Sequence, residues 1–143
     1  MKSVILKVQV TTEEQTKKLA ADLAEQIKDF RCVTLNGDLG AGKTFFVRCF
    51  AELFGVPRVS SPTFALVNVY EAQLKIYHLD FYRLITMDEL FDIGFFEMCE
   101  DEQGIMFIEW ADMFKEILPK RRIAIDIELN EKEERIFTVT KYE

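Results

Sequence analysis

Apolar positions change period along this chain, and the changes mark out its elements. Ser3 to Val10 is β-branched and partly alternating, as a strand requires. Thr12 and Gln15 then stand at capping-box spacing. Leu19, Ala20, Leu23, Ala24 and Ile27 follow every three or four residues, predicting an amphipathic helix over Glu13 to Lys28. Arg31 to Asn36 reads as a buried strand. Phe46, Val47, Phe50, Leu53 and Phe54 form the inner face of a helix from Phe45 to Phe54, stopped by Gly55 and Pro57.

Phe64 to Tyr70 and Leu74 to Asp80 are strand-like runs joined by Glu71, Ala72 and Gln73, a hairpin-length link. The second run alternates, which predicts a half-exposed hairpin strand. Met87 to Cys99 reads as helical with a break near Gly94. Gly104 to Trp110 is continuously apolar until it closes in Glu109, the pattern of a strand buried on both faces of a parallel sheet. Asp112 to Leu118 predicts a short helix closed by Pro119. Ile123 to Leu129 and Arg135 to Lys141 alternate around a charged tip containing Lys132, predicting a terminal hairpin. With no repeat or linker in 143 residues, residues 1–143 are expected to form a single domain.

Chemistry concentrates between the second strand and the second helix. Gly37, Asp38, Leu39, Gly40, Ala41, Gly42, Lys43 and Thr44 match the phosphate-binding pattern G-x-x-x-x-G-K-[ST]. Average composition produces that pattern by chance in about 0.5% of chains this long. Glycines allow a concave backbone nest whose N–H groups face phosphate oxygens, and the following helix N-terminus adds its dipole. Lys43 is then expected on the β- and γ-phosphates and the Thr44 hydroxyl on Mg²⁺. The N-terminal helix reads as packing against the sheet or, beside the phosphate-loop strand, as a border to the base.

A triphosphatase of this class also needs a carboxylate at the end of a neighbouring strand to orient the metal. Asp80 and Glu109 both end suitable runs. The wholly apolar run favours Glu109 for the metal, leaving Asp80 to orient or deprotonate water or to bind metal from a second direction. Ser61, Pro62 and Thr63 form a polar loop into a strand, so Thr63 reads either as a capped turn or as a threonine sensing the γ-phosphate. His78 reads as a structural hydrogen-bonder, Trp110 as packing or an interface anchor, and Arg83 as a salt-bridge partner or phosphate support.

Composition narrows the partners. A formal net charge of −7 repels nucleic acid, so stable direct binding to RNA or DNA by this chain alone is not expected. Three dispersed cysteines and one histidine argue against a disulfide framework or a zinc site and suit a reducing cytoplasm. No apolar run approaches the length of a membrane span.

Taken together, the phosphate loop, Ser61 to Val67, Tyr77 to Leu84 and Ile108 to Trp110 resemble the TsaE (YjeE) family of bacterial P-loop proteins in tRNA threonylcarbamoyladenosine biosynthesis. The resemblance implies an α/β, three-layer P-loop NTPase-like fold with a central parallel sheet flanked by antiparallel strands. It implies a Mg²⁺-dependent ATPase that supports TsaB and TsaD in modifying the adenosine beside the anticodon of tRNAs reading ANN codons. Carried over by motif, Lys43 and the loop amides from Asp38 to Gly42 hold phosphates, and Thr44 and Glu109 hold Mg²⁺. Asp80 is the essential acid, Thr63 is switch-like, and Glu13 and Lys132 border the nucleotide. The rivals are a small-molecule kinase, which usually carries an arginine-rich lid, and a nucleotide-dependent interaction module without significant hydrolysis. A GTPase lacks support, since no Asn-Lys-x-Asp stretch occurs.

Overall fold

A computed structural model of the chain describes residues 1–62, 65–84 and 86–143. Seven strands make one sheet: β1 Lys2–Val10, β2 Cys32–Asn36, β3 Val67–Glu71, β4 Lys75–Asp80, β5 Gly104–Glu109, β6 Arg122–Leu129 and β7 Arg135–Tyr142. Their order is β1-β7-β6-β2-β5-β4-β3. Strands β6, β2, β5 and β4 run parallel. On one side β7 and β1 continue the sheet antiparallel, and on the other β3 does. This is the expected central parallel sheet with antiparallel flanks.

Side chains of the parallel strands alternate between two covered faces. One face carries Val33, Leu35, Ile105, Phe107, Ile123 and Ile125 against Leu23 and Ile27 of α1 (Glu13–Phe30) and Phe46 and Phe50 of α2 (Lys43–Glu52). The other carries Cys32, Tyr77, Leu79, Met106 and Ile108. It packs on Leu90 of α3 (Met87–Asp92), Phe95 of α4 (Phe95–Glu100) and Ala111. Helix α1 begins in the expected capping box, with Gln15 N–H donating to Thr12 Oγ1 and the Gln15 side chain accepting from the Thr12 backbone. Phe50 seats α2 on the sheet, its ring centroid 5.0 Å from those of Phe107 and Phe54. Each fully buried phenylalanine contributes about 1.5–3 kcal/mol of hydrophobic stabilisation.

Three expectations change. β4 is not a half-exposed strand: it lies between β3 and β5, and Ile76 to Asp80 are all buried. Its alternation separates two buried layers, with the Tyr77 hydroxyl donating to Asp101 Oδ2 at 2.5 Å on the α4 side. The expected helix after β5 is a 3₁₀ segment, Ala111–Ile117, broken at Phe114 (φ −140°). Phe114 instead meets the Phe81 ring edge-on at 6.0 Å. Finally, α2 starts at Lys43 rather than Phe45, so both Lys43 and Thr44 lie in its first turn.

Candidate functional site

The loop from Gly37 to Gly42 joins the end of β2 to the start of α2 at the C-terminal edge of the parallel strands. A Cβ at Gly37 would stand 2.7 Å from the Ile127 carbonyl oxygen of β6, which excludes any larger residue without movement. Gly42 has φ +111° at the N-cap and supplies no side chain, so the first N–H groups of α2 have no side-chain cap. Arg135 on β7 ties the loop down: its Nε donates to the Ala41 carbonyl at 2.7 Å and its Nη2 to the Gly40 carbonyl at 3.3 Å.

Lys43 is buried, yet its ammonium is well partnered. Nζ donates to the Gly37 carbonyl at 2.5 Å and the Asp38 carbonyl at 3.0 Å, and lies 4.1 Å from the centroid of the Trp110 ring. Burial lowers its pKa from the usual lysine value, while Glu109, Asp80 and Asp38 pull the other way. Trp110 reaches this position because it takes a left-handed turn (φ 58°) directly after β5, where its ring also stacks on Tyr82 at 4.7 Å.

Strand register brings the two acids together. Asp80 and Glu109 are direct partners across β4 and β5, and Glu109 is also the partner of Leu35 on β2. Both are buried, at 4% exposure. Thr44 Oγ1 donates to Glu109 Oε2 at 2.7 Å, linking the first turn of α2 to the end of β5. The same oxygen faces His78 Nε2 at 2.5 Å. Asp80 Oδ1 accepts the Tyr82 backbone N–H at 2.8 Å, fixing its carboxyl group in a local turn. Thr44 and Glu109 thus offer hard oxygen donors beside an uncapped helix N-terminus, a set suited to Mg²⁺ and phosphate.

These groups line a cavity of about 620 Å³ with Leu39, Gly40, Gly42, Lys43, Thr44, Asp80 and Glu109 on its wall. Glu13 lines it from the start of α1, beside Thr12 and Thr16. Asp38 and Ala41 contribute backbone groups to the loop rather than cavity wall. Lys132 does not reach it. Its backbone N–H caps on Asn130 Oδ1 at the exposed hairpin tip, and Arg135, three residues on, lines the cavity instead. Arg83, Tyr82 and Trp110 also line it. Thr63 lies outside the described residues.

Sequence reasoning passed over Arg135 and the partner of His78, because both contacts cross strand pairings. The charged tip did end in an arginine at the first residue of a strand, which was the available signal. The thiols take no part. Burial pushes Cys32 up to about 12 and Cys49 and Cys99 up to about 11, leaving them protonated at neutral pH. Among the described residues no cluster of three or more His, Cys, Asp or Glu side chains could hold a metal.

Known proteins resemble this chain over most of its length. Residues 10–137 match the family model described as threonylcarbamoyl adenosine biosynthesis protein TsaE. A Bacillus subtilis protein named tRNA threonylcarbamoyladenosine biosynthesis protein TsaE is 41% identical over 137 residues, covering 94% of this chain and 85% of that one. Its namesake in Rickettsia conorii is 39% identical over 133 residues, covering 91% of this chain and 75% of that one. A crystal structure of Bacillus subtilis YdiB superposes with a TM-score of 0.72 at 32% identity, covering 100% of this chain and 88% of that one. With its phosphate loop, its paired strand-end acids and a family match over almost its whole length, this chain belongs to the TsaE family of tRNA threonylcarbamoyladenosine biosynthesis.

Proposed function

We propose that this protein binds ATP with Mg²⁺ and hydrolyses it slowly on its own. Its nucleotide cycle would support TsaB and TsaD as they form threonylcarbamoyladenosine beside the anticodon of tRNAs reading ANN codons. The observation that carries the reading is the Thr44–Glu109 hydrogen bond at the head of α2, with Asp80 in register beside Glu109. A nucleotide-binding module that never hydrolyses has no need of a second buried acid there.

In this reading the uncapped N–H groups of α2 and the loop amides from Asp38 to Gly42 take the phosphate oxygens. Lys43 exchanges two neutral carbonyls for phosphate, a charge-assisted and stronger partner. Thr44 and Glu109 hold Mg²⁺, which when bound offsets charge on the phosphates. Asp80, kept in place by the Tyr82 N–H, orients the attacking water or takes its proton. Glu13 and Arg135, both on the cavity wall, border the rest of the nucleotide. Arg135 also keeps the loop attached to β7. Kinase chemistry gains nothing from these walls, since Arg83 and Arg135 come from different elements and form no arginine-rich lid.

The test is a direct ATP titration by calorimetry with Mg²⁺ present. Lys43→Ala removes charged hydrogen bonds worth about 1.5–3 kcal/mol, so Kd should rise by roughly 10- to 100-fold. An unchanged Kd would sink the phosphate-loop assignment.

A further inference from the structure

Resting on that ATPase reading, we propose that His78 is a positioning residue for the metal carboxylate, fixing Glu109 so that the Thr44 hydroxyl keeps a free lone pair for Mg²⁺. The argument begins with strand geometry. His78 stands two residues before Asp80 on β4 and therefore shares its face, beside Phe107 and diagonally across from Glu109. Its side chain is fully buried, Nε2 lies 2.5 Å from Glu109 Oε2, and Nδ1 has no hydrogen-bond partner among the described residues.

That pattern assigns the proton. A ring nitrogen at hydrogen-bond distance from a carboxylate oxygen must donate, so Nε2 carries hydrogen. Of the two neutral tautomers, only the Nε2–H form can make this contact. Glu109 Oε2 accepts two hydrogen bonds, from His78 Nε2 and from Thr44 Oγ1 at 2.7 Å. With its hydrogen committed to Glu109, the Thr44 oxygen turns its lone pairs elsewhere. Outer partners of metal ligands commonly change metal affinity by about 10- to 100-fold.

Side-chain replacements separate this role from core packing. The Gln amide nitrogen can stand where Nε2 stands, whereas Asn is one carbon too short and Leu fills space without donating. Binding of a fluorescent ATP analogue is measured against Mg²⁺ concentration, with thermal unfolding checked for each variant. His78→Gln should keep the wild-type Mg²⁺ midpoint to within about 3-fold, while His78→Leu and His78→Asn should raise it by about 10-fold or more. Metal-free binding should be the same in all. Equal midpoints across the series, or a Gln variant as impaired as Leu, would overturn the inference.

The chain has one histidine, so ring ¹⁵N spectra of the untagged, nucleotide-free wild-type protein report on it alone, even if the variants fail to fold. A protonated Nε2 and a bare Nδ1 support the proposal; the opposite tautomer overturns it. Wild-type nucleotide binding that ignores Mg²⁺ would bring down the ATPase reading and this inference with it, whatever the spectrum shows of the hydrogen bond.

Discussion

Asp80 and Glu109 are neighbouring carboxylates, equally buried, and under the proposed function their partners separate their tasks. Glu109 is taken up by Thr44 and His78, so its position is bound to the first turn of α2. Under the proposed function Asp80, which accepts the Tyr82 backbone N–H and shares the cavity wall with Glu109, is the acid left to act on water. Replacing Asp80 by Ala should leave ATP affinity within about 3-fold. It should cut single-turnover hydrolysis by roughly 10²- to 10⁴-fold, the usual contribution of a positioned acid or base. Normal hydrolysis by Asp80→Ala would move the catalytic role elsewhere. At this scale the sequence was legible wherever spacing is local. Lys43 and Thr44 follow from the glycine pattern alone, and Glu109 from the apolar run before it. Arg135 was not legible as a loop anchor. It sits 94 residues from the Ala41 carbonyl that it grips, and only the pairing of β7 with β6 brings them together.

Helix α2 is the element on which the site stands, since Lys43 and Thr44 are its first two residues. Its inner face was readable from periodicity because Phe46, Val47 and Phe50 obey helical spacing and all lie buried. Its start was misplaced by two residues because Gly42, in a left-handed conformation, acts as the N-cap, a place where a Ser, Thr, Asp or Asn is the usual sign. Strand β4 misled for a related reason. Alternation signals two environments, and here the polar set of Asp80 and His78 faces a functional cavity and a buried carboxylate instead of solvent. Phe50→Ala should cost about 3–5 kcal/mol, as expected for a large buried ring with aromatic neighbours. Phe91→Ala, at a ring 62% exposed on α3, should cost far less. Urea unfolding of both variants checks the contrast. Comparable losses would mean that α2 is not the main anchor between the phosphate loop and the sheet.

At the scale of the whole molecule, net charge and the position of the cavity bear on how a nucleotide cycle could serve tRNA modification. A chain with formal charge −7 is repelled by the phosphate backbone, so it suits a protein partner better than tRNA itself. Among the described residues no helix is long and apolar enough to cross a membrane. Leu39 and Tyr82 line the cavity while remaining 74% and 46% exposed. The cavity rim thus carries exposed groups that a protein can contact. Because Leu39 belongs to the phosphate loop itself, under the proposed function a partner resting there would gain or lose affinity with the nucleotide state, and the coupling would be reciprocal. Immobilised chain should accordingly retain TsaB and TsaD to different extents with a non-hydrolysable ATP analogue and with ADP. The Lys43→Ala variant should lose that difference. Equal retention in both states would remove nucleotide control of the assembly, and no retention in either would remove the partnership. Neither result touches the proposed hydrolytic site, whose residues stand or fall on the Asp80 and Lys43 variants alone.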